Sequence, residues 1–297
     1  MTVLPHLHLH LEPEQRKRAQ LGIRLDVARD SAAFFAAHDI RNAARPAMSG
    51  KDLECFIHQV HAEQRHEGVA HVELRLSPRR FVVDGLPFAE FLRIAHHSMR
   101  ALENPTLRGV LLVNRDSSEK FTEDCRRLLP GLPPTFVGID LAGDESRYPD
   151  SSRFRNLFAT ARESGLGVTV HAGEFGNLDG VWRAIDELGA QRLGHALAAA
   201  GNRSLLKRLR DDSILVELSI SSNLALGAAA SASLHPARIF LEAGVPLSFN
   251  TDIPIESGST IPQELAVAAD VLGLSTSEVV TLQQGASRFI FRRSARR

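Results

Sequence analysis

Cysteine is nearly absent: Cys55 and Cys125 are the only two in 297 residues. They lie far apart in helix-like contexts, which argues against a disulfide framework and suits buried or half-buried thiols in a reducing cytoplasm. A charge excess of either sign is also missing. Lys plus Arg and Asp plus Glu number 35 each, for a formal net charge of +0. No global field therefore draws the chain to nucleic acid or to a membrane surface. One local exception, Arg292, Arg293, Arg296 and Arg297, reads as a solvated end rather than a binding tail. No apolar run approaches the roughly 20 residues needed to span a bilayer. The N-terminus, MTVLPHLHLHLEPEQ, lacks the basic stretch and apolar core of a signal peptide. There is no G-x-G-x-x-G turn, no low-complexity linker and no internal repeat. What remains is a cytoplasmic enzyme-sized chain whose partner is a small molecule. Nothing in the sequence bears on oligomeric state.

What is present is ordinary globular composition, 43% apolar and 24% charged, arranged with a clear period. Short apolar runs alternate with amphipathic stretches. The runs predict strands over Leu4–Leu11, Ala70–Leu76, Gly109–Val113, Phe136–Leu141, Gly167–His171, Gln191–His195, Ile214–Ser219 and Pro246–Thr251. Helical spacing of three and four falls between them, as in Leu53, Phe56, Ile57 and Val60, and in Phe88–Leu102, Phe154–Ala161, Val181–Leu188, Leu205–Leu209 and Ile239–Ala243. Eight strands separated by helices imply parallel pairing with right-handed crossovers. The length suits a closed (β/α)8 TIM barrel in a single domain over residues 1–297; an open doubly wound sheet is the alternative. Residues 12–50, polar and rich in Ala and Arg, read as helix and loop.

The strand ends carry the chemistry. His8 and His10 alternate on the first strand and so share a face. His171 ends the fifth strand in V-T-V-H-A-G-E, His195 the sixth in R-L-G-H-A-L, and Asp252 the eighth in F-N-T-D-I-P. In a barrel these ends converge on one mouth. Three neutral imidazoles and a carboxylate suit one zinc-type ion with room for a water. Glu174, three residues after His171, is placed to move protons beside that water. His195 could orient the nucleophile or stabilise charge on its oxygen, and Asp252 could take up the water's proton. These parts suggest hydrolytic attack on an sp² carbon bearing a nitrogen leaving group. His6 shares the face of His8 and His10 but reads as a satisfied core residue. His58, His61, His66, His96 and His97 read as solvated helix faces, and Glu73 and Glu145 as structural hydrogen-bonding groups.

Taken in order, H-L-H-L-E, V-E-L-R-L-S-P, G-I-D-L-A-G-D-E, V-T-V-H-A-G-E, R-L-G-H-A-L, E-L-S-I-S-S-N-L and A-G-V-P-L-S-F-N-T-D resemble the adenosine/AMP deaminase family of metal-dependent hydrolases. The resemblance runs from the first strand to G-S-T-I-P-Q-E-L-A-V-A-A-D near the C-terminus. It implies a (β/α)8 barrel, one zinc per chain and hydrolytic deamination of an aminopurine. His8, His10, His171 and Asp252 would be the ligands. Glu174 would protonate a ring nitrogen, with His195 beside the attacking oxygen. Gly143 would offer its amide to the ring, and Glu12 would meet the sugar.

Several positions depart from the pattern. Where the family has a second aspartate against the purine, this chain has Ile253. Loss of such a buried polar contact costs on the order of 2 to 4 kcal/mol in transition-state binding, which argues against plain adenosine as the best substrate. Pro13 replaces a glycine, Ala196 another glycine, and Ser219 and Ile220 a Cys-Pro pair, while Ser222 and Asn223 persist. The gate segment, residues 13–69, is short, which implies a more open or differently lidded mouth. Other readings are hydrolysis of a different C–N bond, a non-catalytic binding protein, or a phosphoesterase barrel. The last would require more metal-binding carboxylates and histidines than the pattern supplies.

Overall fold

The computed structural model describes residues 4–23, 30–39, 41 and 44–293. The chain order begins β1 Pro5–His10, α1 Pro13–Gln20, α2 Ser31–Ala37, α3 Gly50–His66, β2 His71–Leu76, α4 Arg79–Val83, α5 Phe88–Arg100 and β3 Thr106–Asn114. It continues α6 Glu119–Leu128, β4 Phe136–Ala142, α7 Arg155–Glu163, β5 Gly167–Ala172, α8 Leu178–Asp186, β6 Arg192–His195, α9 Arg203–Asp211 and β7 Leu215–Leu218. Then follow α10 Ile220–Ala225, α11 Ala237–Glu242, β8 Leu247–Phe249, α12 Pro254–Ser257, α13 Ile261–Leu272 and α14 Thr276–Gly285.

All eight strands pair in sequence order, and every pair is parallel. Each predicted strand is present, with ends displaced by a few residues. The strands are apolar enough to be buried on both faces, the pattern expected when helices cover a parallel sheet. Those helices pack their apolar stripes, such as Leu53, Phe56, Ile57 and Val60 of α3, into one core around the sheet.

The last seam, between β8 and β1, is made largely by the residues after Phe249. Asn250 Oδ1 accepts from the amides of Leu7 and His8, at 2.9 and 3.0 Å. The Asp252 amide donates to His8 O at 3.1 Å, and the His10 amide to Asp252 O at 2.8 Å. Barrel closure thus locks Asp252 against the histidine strand. At the opposite end, Phe291 fills the floor beneath Gly138 and Gly167. A Cβ on Gly167 would lie 2.2 Å from the Phe291 ring.

Three expectations need correction. Cys55 is exposed on α3, although Cys125 is buried. His61 is buried and bonds Glu103 O at 2.9 Å, because its face of α3 turns inward. Arg293, expected in a solvated tail, donates to Leu132 O and Pro133 O; Arg296 and Arg297 lie outside the described residues. His6 is satisfied as expected, with Nδ1 2.6 Å from Gln64 Oε1 and Nε2 accepting from the Thr251 amide at 3.1 Å. Among the described residues no single helix is long and apolar enough to cross a membrane.

Candidate active site

At the C-terminal ends of the strands, one ligand atom each from His8, His10, His171 and Asp252 falls within 4.8 Å of all the others. The Nε2 atoms of His8 and His171 are 3.0 Å apart, and His10 Nε2 is 3.3 and 3.2 Å from them. Asp252 Oδ1 is 3.1 Å from His8 Nε2 and 3.2 Å from His10 Nε2. Gly194 makes this crowding possible, since a Cβ there would stand 2.9 Å from His8 Cε1. Backbone strain gathers here as well. Six non-glycine residues among those described have positive φ, and Glu12, His195, Ala196 and Asp252 are four of them.

The donor set can be tested against a metal. His8 Nδ1 donates to Glu217 Oε2 at 3.0 Å, and His171 Nδ1 donates to Asp140 at 3.1 Å. Each of these Nε2 atoms therefore bears a lone pair in the neutral ring. Two lone pairs facing each other at 3.0 Å repel unless a cation lies between them. Tetrahedral ligands at about 2.0–2.1 Å from zinc lie roughly 3.3 Å apart, close to the separations seen. Nitrogen and carboxylate donors, with orienting carboxylates behind them, fit zinc.

Those orienting groups were not identified as such from the sequence. Arg75 donates to Asp140 at 3.0 Å and also to Glu217, and Arg192 Nε lies 2.7 Å from Glu217 Oε1. Against the effect of burial, His171 and then Arg75 hold Asp140 well below the usual carboxylate range, and Arg75 and Arg192, with His8, do the same for Glu217. The signal was legible in principle: Asp140, Glu217 and Arg75 are charges inside otherwise apolar strand runs, where an unpaired charge is not tolerated.

Glu174 and His195 stand beside the cluster. Burial, then the charges of Asp252 and Glu145, pushes the Glu174 carboxyl well above its ordinary range. Burial chiefly, with the neighbouring imidazoles, pushes His195 well down and keeps it neutral. The Glu174 loop is pinned on both sides, since Glu145 accepts from the amides of Gly173 and Phe175, each at 2.8 Å. Ser222 Oγ donates to Asp252 Oδ2 at 2.6 Å.

The mouth opens into a cavity of about 500 Å³, lined by His10, Glu12, Gly143, Glu174, His195 and Ile253 among others. Phe34 and Phe35 of α2 line it too, and α2 has no fully buried residue. Among the described residues of the gate segment, α2 is therefore a thin cover over the mouth. Glu12 lines the cavity as expected, but its oxygens accept from the amides of Ile255 and Glu256 at 3.1 and 3.2 Å. It caps α12, a role that Ile253, at the N-cap position, cannot fill.

This mouth is that of a metal-dependent hydrolase barrel with one catalytic ion. Residues 13–296 match the adenosine deaminase family model. Adenosine deaminase from Klebsiella pneumoniae subsp. pneumoniae is 36% identical over 288 residues, covering 94% of this chain and 79% of that protein. The chain belongs to the adenosine deaminase family. It is accordingly a hydrolytic deaminase acting on a C–N bond, and zinc is its cofactor. The barrel is shared with N6-methyl-AMP deaminase from Arabidopsis thaliana (TM-score 0.80, 23% identity, 96% of this chain and 91% of that one). It is also shared with adenine deaminase from Arthrobacter aurescens (TM-score 0.76, 22% identity, 98% and 99%).

Proposed function

We propose that the chain, acting as one catalytic domain, deaminates an aminopurine nucleoside, base or related aminated heterocycle, with plain adenosine not its best substrate. His8, His10, His171 and Asp252 hold the ion. When bound, zinc supplies the Lewis acidity that brings the pKa of a water toward neutrality. The remaining chemistry belongs to side chains. Glu174, protonated at rest, gives its proton to the ring nitrogen next to the amine-bearing carbon as the water oxygen adds there. His195 faces that oxygen. Asp252 takes one water proton and passes it to the amine, which leaves as ammonia when the C–N bond breaks. The second water proton restores Glu174, and the ring keeps the proton it received. Gly143 and Glu12 flank the ring and its substituent, and Ile253 packs against the ring edge.

The observation that carries this reading is a buried carboxyl, Glu174, beside a three-imidazole, one-carboxylate cluster. Ile253 supports the substrate assignment, as do the other aminopurines named for two proteins of the same fold. A second reading, hydrolysis of a different C–N bond, is favoured only by that same residue and the thin gate. The test is ammonia release from adenosine, adenine, AMP and N6-substituted purines by protein carrying about one zinc per chain. Turnover of one of the others above adenosine is expected. No ammonia from any of them, with zinc bound, overturns the proposal.

A further inference from the structure

Behind Glu174 and His195 lies a run of hydrogen bonds whose direction is set at a single backbone amide. The Ala237 amide opens α11, where it has no partner within the helix, and it can only donate. It donates to His235 Nδ1 at 3.2 Å. His235 is buried, and burial pushes it down to about 4, so the ring is neutral. With Nδ1 accepting, its one proton sits on Nε2. That N–H points at Asn223 Oδ1, 3.3 Å away. The Asn223 carboxamide is thereby oriented, its oxygen toward His235 and its NH2 toward the site.

The two hydrogens of that NH2 have two acceptors. Asn223 Nδ2 is 3.0 Å from His195 Nδ1 and 3.1 Å from Glu174 Oε1. His195 Nδ1 must therefore accept, which leaves the ring proton on Nε2. Glu174 Oε1 also accepts, which leaves Oε2 as the oxygen free to carry the acid's proton. The geometry points to His235 and Asn223 as a proton-ordering relay. Asn223 positions both Glu174 and His195, and His235, remote from the cavity, positions Asn223. The consequence for the reaction is specific. His195 presents an N–H and acts as a hydrogen-bond donor to the attacking oxygen, not as the base that takes its proton. This leaves proton uptake to Asp252.

The inference rests on the roles proposed above for Glu174 and His195, but its test does not depend on turnover. Nitrogen-15 spectra of histidine-labelled, zinc-loaded protein report which ring nitrogen bears the proton, with His195 assigned by the signals lost in His195→Ala. The expected result is Nε2–H for both His195 and His235. Nδ1–H on wild-type His195 overturns the relay, and this measurement does not depend on whether His235→Leu folds. In His235→Leu the carboxamide is free to turn over, so His195 should shift toward Nδ1–H. kcat should then fall about 10- to 100-fold, the usual cost of removing an orienting partner, with little change in KM. His235→Gln can still donate to Asn223 Oδ1 and should restore both the tautomer and kcat. An unchanged tautomer and unchanged kcat in His235→Leu would also overturn it. Absence of ammonia release by the wild type would instead defeat the deaminase assignment and leave the tautomer result intact.

Discussion

Ile253 closes the cavity next to Asp252 with a side chain that neither donates nor accepts, at the position where the family pattern has an acid. Ile253→Asp should raise kcat/KM on adenosine by about 30-fold, corresponding to the lower end of the cost of a missing buried contact. Zinc content should stay at one per chain, since Ile253 is not a ligand. No gain with zinc retained would mean that other side chains have taken over recognition of the ring. Glu174 makes a separate prediction. In the proposed mechanism its acid form is the competent one, and its pKa is raised, so activity should be retained above the ordinary carboxylate range and lost as pH rises past the raised value. Glu174→Gln should keep zinc, lose at least about 100-fold in kcat, within the range for general acid catalysis, and show no such alkaline limb. Retained turnover would remove Glu174 from the mechanism. The residues that converge at the mouth, the four proposed ligands with Glu174 and His195, could be picked out in sequence because each ends a strand or follows one closely. His235 could not, since its role depends on a turn that brings it behind Asn223, and no spacing encodes that approach.

The short segments that finish the site depend on carboxylates reaching them from other elements. Helix α10 begins at Ile220 without a side-chain cap of its own. Glu264 of α13 supplies one, accepting from the Ile220 amide at 2.5 Å and the Ser221 amide at 3.3 Å. Burial pushes Glu264 up to about 7 despite these bonds. A raised folded-state pKa means the native state binds more protons than the unfolded chain between about pH 4.5 and 7, so this group's contribution declines as pH rises through that window. Glu264→Gln keeps an acceptor and has no charge to bury. Its stability relative to wild type should therefore be about 2 kcal/mol more favourable at pH 8 than at pH 5, read from urea unfolding at both. A pH-independent difference would show that Glu264 titrates normally. Such tertiary caps explain where sequence reading of elements stops. All eight strands were legible because burial on both faces leaves continuous apolar runs. Glu12 lines the cavity, as its place after the histidine pair suggested, but its capping of α12 was not legible, because a carboxylate's partner across the barrel leaves no periodic trace.

Across the whole barrel, charged side chains link floor and mouth. Phe291 seals the floor: its amide donates to Glu73 Oε1 at 2.7 Å, and the Arg192 guanidinium lies 3.6 Å from its ring centroid. Arg192 pairs with Glu73 at 2.5 Å and with Glu217 at 2.7 Å, and Glu217 in turn orients His8. The two ends should nevertheless separate on perturbation, because Glu217 is also held by Arg75, which does not touch Phe291. Phe291→Ala removes a buried ring from between Gly138 and Gly167, which have no side chains to fill the gap. It should destabilise the protein by about 3 kcal/mol, the lower end for a buried phenylalanine, while zinc stays at one per chain and kcat changes by less than about 3-fold. Removing the ion should do the reverse. Chelation should abolish turnover and lower the melting temperature, because zinc binds only the folded cage, and ligand at about 1,000 times its Kd contributes roughly 4 kcal/mol. Added zinc should restore both. Denaturant titration of wild type and Phe291→Ala, each with and without zinc, checks the two claims together. If the floor and mouth are independent, the zinc increment is equal in the two proteins. If Phe291→Ala also loses the zinc increment, the arginine–carboxylate chain couples the floor to the ligands and Arg75 alone does not hold Glu217.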